Sequence, residues 1–131
     1  MKTGKILIVE GDLTFSKVLQ TQLRDAGYVV DAQQTGQKAL EELKREWVDL
    51  LIVSSNLQGE MDGFGFIKAV KKNKGLSKIP ILMTSNKPGI KKVVEKLGVE
   101  DFFEKPSKVD VLKKRAEEIL EKKGQVNVDR M

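Results

Sequence analysis

The sequence contains no cysteine and no histidine. Those two absences exclude thiol nucleophiles, disulfide staples, Cys/His zinc sites, Ser-His-Asp triads and histidine general bases. The missing histidine also argues against a phosphohistidine carrier. Long apolar stretches are missing too. The longest runs are Ile6 to Val9, Leu50 to Val53 and Ile79 to Met83, strand-sized and far short of the ~20 residues of a membrane span. Met1 to Lys5 leads straight into a short apolar run and then Glu10, without the longer apolar region and cleavage site of a signal peptide. No membrane association is expected, and a cytoplasmic location is the default.

What is present fits one soluble domain. A chain of 131 residues is of single-domain length and buries roughly two thirds of its unfolded surface. Hydrophobic residues make up 40% and charged residues 33%, an ordinary globular balance. The charge is unevenly placed: residues 1–64 carry a net −3 and residues 65–131 a net +8, giving the total of +5. A basic half of this kind marks either solvated helix faces or an anionic partner.

Short apolar runs alternate with longer helical periods. Ile6 to Val9, Tyr28 to Val30, Leu50 to Val53, Ile79 to Met83 and Phe102-Phe103 read as strands. Pro80 has no N–H to donate and belongs near the start of its strand. A first helix begins at an Asp12 cap, places Phe15, Val18, Leu19 and Leu23 on one face, and ends at Gly27. A second opens at Thr35-Gly36 and carries Ala39, Leu40, Leu43 and Trp47, with Trp47 at the edge of the core. A third holds Phe66, Ile67 and Val70. A short fourth covers Ile90 to Leu97. The last, with Ser107 as its cap, aligns Val109, Leu112, Ala116, Ile119 and Leu120. Residues 1–123 form the domain, and Gly124 to Met131 reads as a polar tail or linker stub. Five strands alternating with five helices mean βα units: an α/β, doubly wound parallel sheet with helices on both faces, a three-layer sandwich. Sites in such sheets form at the carboxyl ends of the strands. That draws attention to Glu10-Gly11-Asp12, Ser54-Ser55-Asn56, Ser85-Asn86 and Lys105-Pro106.

With these residues in place the chain resembles the response-regulator receiver domain, the CheY-like, flavodoxin-like fold. The resemblance runs from about Lys5 to about Lys122. It rests on seven stretches in the family's order: Lys5 to Asp12, Gly27 to Ala32, Gly36 to Leu40, Asp49 to Val53, Met61 to Phe64, Ile79 to Met83 and Glu104-Lys105-Pro106. It implies the sheet order 2-1-3-4-5 and a place in two-component signalling or a phosphorelay. In the family, an Asp at the end of the third strand takes a phosphoryl group. Paired acidic residues after the first strand help hold Mg²⁺, and a Thr or Ser and a Lys bind the phosphoryl oxygens. Such chemistry depends on positioning and charge neutralisation, and Mg²⁺ favours carboxylate and carbonyl oxygens.

Carried onto this chain, the pattern is incomplete. Counting five residues on from Asp49 puts Ser54 at the phosphoacceptor position, and slipping by one puts Ser55 there. Neither is a carboxylate. The acidic pair reads Glu10-Gly11, so its second side chain is gone, and Asp12 serves the helix cap rather than the metal. Asn56 falls where the family offers a backbone carbonyl to the metal. Ser85 and Phe102 fall at the switch positions, and Lys105-Pro106 at the Lys-Pro pair, whose peptide bond is typically cis in the family. Gln58-Gly59-Glu60 replaces the usual Pro-containing turn with one residue extra, and the fourth helix is shortened. With its acidic partners lost, Lys105 is left either to pair with Glu10 or to face solvent.

The resulting expectation is a degenerate pseudo-receiver. It is not an enzyme, has no cofactor and binds Mg²⁺ weakly or not at all. It works by protein recognition through the fourth helix, fifth strand and fifth helix, independently of phosphorylation. Two alternatives compete. One is a receiver phosphorylated by an unusual route at Asp62 or Ser54. The other is a nucleic-acid module using the basic half, for which no helix-turn-helix, aromatic RNP pair or zinc finger is present.

Overall fold

A computed structural model describes residues 4–105 and 108–129, with side chains up to residue 122. In chain order the elements are β1 (Lys5–Val9), α1 (Leu13–Asp25), β2 (Val29–Gln33), α2 (Gly36–Arg45), β3 (Leu50–Ser54), α3 (Gly63–Lys72), β4 (Ile81–Ser85), α4 (Lys91–Glu95), β5 (Asp101–Glu104) and α5 (Val109–Asp129). The strands form a single parallel sheet in the order β2-β1-β3-β4-β5. β1, β3 and β4 are apolar along both faces because helices cover both sides.

Strand alternation divides the core in two. Leu7, Val9, Leu51, Val53, Ile81 and Met83 point to one face, where Ala39 and Leu43 of α2, Phe66, Ile67 and Val70 of α3 and Val94 of α4 cover them. Ile6, Ile8, Leu50, Ile52 and Leu82 point to the other, under Leu19 and Leu23 of α1 and Leu112 and Ala116 of α5. Helix ends follow local chemistry. Asp12 accepts the Phe15 N–H at 3.2 Å and Thr35 accepts the Lys38 N–H at 3.1 Å, each satisfying an orphan donor of the first turn. At the end of α1, the Gly27 N–H donates to Arg24 O and the Tyr28 N–H to Leu23 O, closing the carbonyls left open there.

Several sequence expectations are corrected. Trp47 does not close the core under the second helix: it is 53% exposed. α2 stops at Arg45, and Glu46 is extended at φ −139°, ψ 139°, so the helical stripe breaks before reaching Trp47. Val18 is exposed because the buried stripe of α1 runs through Ser16, Leu19 and Leu23. β2 and β4 begin later than their apolar runs and extend to Gln33 and Ser85. α5 runs from Val109 to Asp129, past the Gly124 boundary, so the polar stretch to residue 129 continues the helix. The expected short fourth helix is found, over five residues. The expected Ser107 cap lies outside the described residues.

Candidate functional site

The sheet order reverses beside β1. The chain leaves β1 for α1 on one face and leaves β3 for α3 on the other, so the two loops part at neighbouring strand ends and open a crevice. A cavity of about 500 Å³ lies there. Glu10, Gly11, Asp12, Ser54, Asn56, Asn86 and Lys105 line it, so seven residues picked out in the sequence meet in one place. Phe15, Leu57 and Gln58 join them.

The cavity's two charged walls are tied together. Glu10 continues the β1–β2 ladder one step past the strand, its N–H donating to Gln33 O at 3.0 Å, and Lys105 continues β5 through its N–H to Ser85 O at 2.8 Å. From these fixed positions the Lys105 ammonium forms an ion pair with the Glu10 carboxylate. Glu10 is only 2% exposed. Its second oxygen accepts the Asp12 N–H at 3.1 Å. Lys105 also sits over the Phe15 ring, 4.1 Å from the centroid, where the negative face of the ring attracts a cation. Of the two expectations for Lys105, the pairing with Glu10 is the one realised.

The backbone closes the rest. The Gly11 N–H donates to the Asn56 carbonyl at 3.1 Å. A Cβ at position 11 would stand 2.8 Å from that oxygen and 3.1 Å from Leu57 backbone atoms, so the two loops approach too closely for any side chain there. Gln58 fastens the same contact: its Nε2 donates to Gly11 O at 2.9 Å and its N–H to Gln34 O at 2.9 Å. Sequence reasoning saw Gln58 only as a departure from the family's turn, and its signal was the extra residue in that loop. Phe15 was read as core. Its place three residues after the helix cap, beside the cavity, was the clue that it covers Lys105.

Alternation along β3 separates the two serines. Ser54 lines the cavity, buried, with its Oγ accepting the Asn56 N–H at 3.1 Å. Ser55 turns to the opposite face, where its hydroxyl lies 2.6 Å from Ser85 Oγ. Ser85 Oγ also accepts the Lys87 N–H at 3.0 Å, so Ser85 is held away from the cavity. Asp62 is exposed and accepts the Gly65 N–H at 2.8 Å as the cap of α3. Gly63 is obligatory beside it, since a Cβ there would fall 2.0 Å from Ser54 O. Phe102 is half-buried, and its carbonyl accepts an Arg115 guanidinium N–H at 2.8 Å. Pro106, and with it the expected cis bond, lies outside the described residues.

Residues 6–117 match the family model described as "Response regulator receiver domain". The chain belongs to this family. Among curated relatives, this receiver is 31% identical over 121 residues to the chemotaxis protein CheY of Pseudomonas aeruginosa, covering 90% of this chain and 97% of that one. It is 32% identical to the transcriptional regulatory protein ZraR of Escherichia coli over 88% of this chain but only 26% of ZraR. Thus it spans nearly all of one relative and about a quarter of the other. Among solved structures, the chemotaxis response regulator CheY4 of Vibrio cholerae superposes with a TM-score of 0.82 at 27% identity, covering 90% and 99% of the two chains. The fold and the family reading of the sequence agree with these matches. The receiver is a module of two-component signalling, a class that generally acts by protein contacts.

Proposed function

We propose that this receiver signals by binding a protein partner through α4, β5 and α5 without forming an aspartyl phosphate. The observation that carries the reading is the Glu10–Lys105 ion pair beside Ser54. In a receiver that turns over phosphate, the lysine is kept for phosphoryl oxygens and the acidic residues for the metal. Here each has neutralised the other. Ser54 is a neutral hydroxyl with no histidine to activate it.

The donors also fit Mg²⁺ poorly. Glu10 is engaged on both oxygens, Gly11 offers no side chain, and the Asn56 carbonyl already accepts a hydrogen bond. Mg²⁺ demands near-octahedral oxygen ligands, which these residues do not offer.

What remains for signalling is a surface. A groove of about 540 Å³ between β5, α4 and α5 is lined by Phe102, Val111, Lys91, Lys108 and Arg115, with Glu104 the one acidic residue among the described residues there. Three cations around an apolar floor suit an acidic protein segment carrying a hydrophobic anchor. The basic half of the chain supplies these charges. Acetyl phosphate or beryllofluoride with Mg²⁺ tests the proposal. The expected mass spectrum shows no stoichiometric adduct, and an adduct on Ser54 or Asp62 would overturn it.

A further inference from the structure

The edge of the sheet opposite β5 holds a second cluster of charged groups, none of which lines the crevice. Asp31 of β2 and Glu42 and Glu46 beside it each place a carboxylate oxygen within 4.8 Å of the others. Lys5 is the cation there: it lies 3.2 Å from Asp31 Oδ2 and forms an ion pair with Glu46. Glu42 is different. It is 7% exposed, one of its oxygens accepts the Gln33 amide at 2.9 Å, and the other, Oε2, is buried with no partner among the described residues. A buried carboxylate oxygen without a donor is costly. Three carboxylates faced by one ammonium leave two negative charges unbalanced.

We propose that Asp31, Glu42 and Glu46 form a binding site for Ca²⁺, with Lys5 as the tethered cation that a bound ion displaces. Ligand chemistry and spacing agree. The three carboxylate oxygens lie within 4.8 Å of one another, close enough to share one ion. Ca²⁺ accepts about six to eight oxygen ligands in a flexible geometry, whereas Mg²⁺ demands a near-ideal octahedron, so a set drawn from a strand, a helix and the residue after it suits the larger ion. Asp31 and Glu46 are substantially exposed and can adjust, and water completes a flexible calcium shell. Lys5 can yield without disturbing the sheet. Its backbone N–H is fixed to Asp49 Oδ2 at 2.8 Å and its place in β1 is held by the ladder, so only the side chain has to swing outward. The site depends on α2 lying over β2, not on the crevice, so it stands or falls separately from the proposed signalling mode.

Terbium luminescence tests the assignment, because the sole tryptophan, Trp47, adjoins Glu46 in sequence. Tb³⁺ added to the intact chain gives emission on tryptophan excitation, and Ca²⁺ reverses it at lower concentration than Mg²⁺ does. Lys5→Met removes the competing ammonium and tightens the probe about tenfold. Glu42→Gln keeps the shape and weakens it by at least about tenfold. Calorimetry of Lys5→Met with CaCl₂ gives the same result without the lanthanide. Emission unchanged in Glu42→Gln, or no Ca²⁺ heat with Lys5→Met, would overturn the proposal. Loss of the signal on Glu10→Gln instead would move the ion to the crevice and overturn it as well.

Discussion

Glu10 and Glu42 are both buried carboxylates, one in the crevice beside β3 and one at the β2 edge. Glu10 accepts from Lys105 with one oxygen and from the Asp12 N–H with the other. Glu42 accepts from the Gln33 amide and leaves Oε2 unpaired among the described residues. Burial is nearly the same in the two, so the difference lies in their partners. In the crevice the buried carboxylate is balanced by an ammonium, while at the sheet edge three carboxylates face one. Removing the partner of a buried, paired carboxylate is strongly destabilising, and a buried oxygen without a donor already carries a desolvation cost.

The largest test removes the partner from the paired side. Lys105→Ala strands Glu10 at 2% exposure and is expected to cost about 3 kcal/mol in urea unfolding. Replacing both residues, Glu10→Gln with Lys105→Met, recovers most of that loss. A single-mutant cost no larger than that of a surface pair would erase the contrast with Glu42.

Next comes the closed loop contact. Gly11→Asp, which would rebuild the family's acidic pair, brings a Cβ to 2.8 Å from Asn56 O and is expected to destabilise by about 2 kcal/mol. An unchanged melting temperature would mean that the loop after β3 gives way freely. Asp12→Ala removes the cap bond to Phe15 and is expected to cost about 1 kcal/mol, which chemical denaturation measures.

The smallest effect has the opposite sign. With a chelator present, Glu42→Gln is expected to leave stability unchanged or raise it by about 0.5–1 kcal/mol, because it removes an under-satisfied buried charge. Glu10→Gln destabilises under the same conditions. If the two substitutions cost the same, the partners of the two carboxylates do not matter and the comparison fails.

Much of this was legible in one dimension. The apolar runs at Ile6 to Val9 and Leu50 to Val53 announced central strands, since only strands covered on both faces read as continuous hydrophobics. Asp12 and Thr35 announced helix starts through their own hydrogen bonds. Met61-Asp62-Gly63 was legible only as a stretch matching the family, and its glycine proves obligatory against Ser54 O. Other features were out of reach. Trp47 lay on the helical period, but α2 ended before it. The choice between Ser54 and Ser55 depended on which face of β3 each occupies, and a count from Asp49 cannot supply that. The extra residue in its loop marked Gln58 as unusual but not its bridge between Gly11 and Gln34, because those contacts join loops far apart in the chain.

The sequence alone determined the βα alternation, a glycine at position 11 and a serine at position 54, and the basic second half, because periodicity and residue type are local properties. Tertiary structure alone decided which charges meet. Lys105 reaches Glu10 across 95 residues, and Asp31 and Glu42 come together only because α2 packs over the β2 edge. Electrostatic partners act across space, and that distance is set by the sheet order rather than by position in the chain.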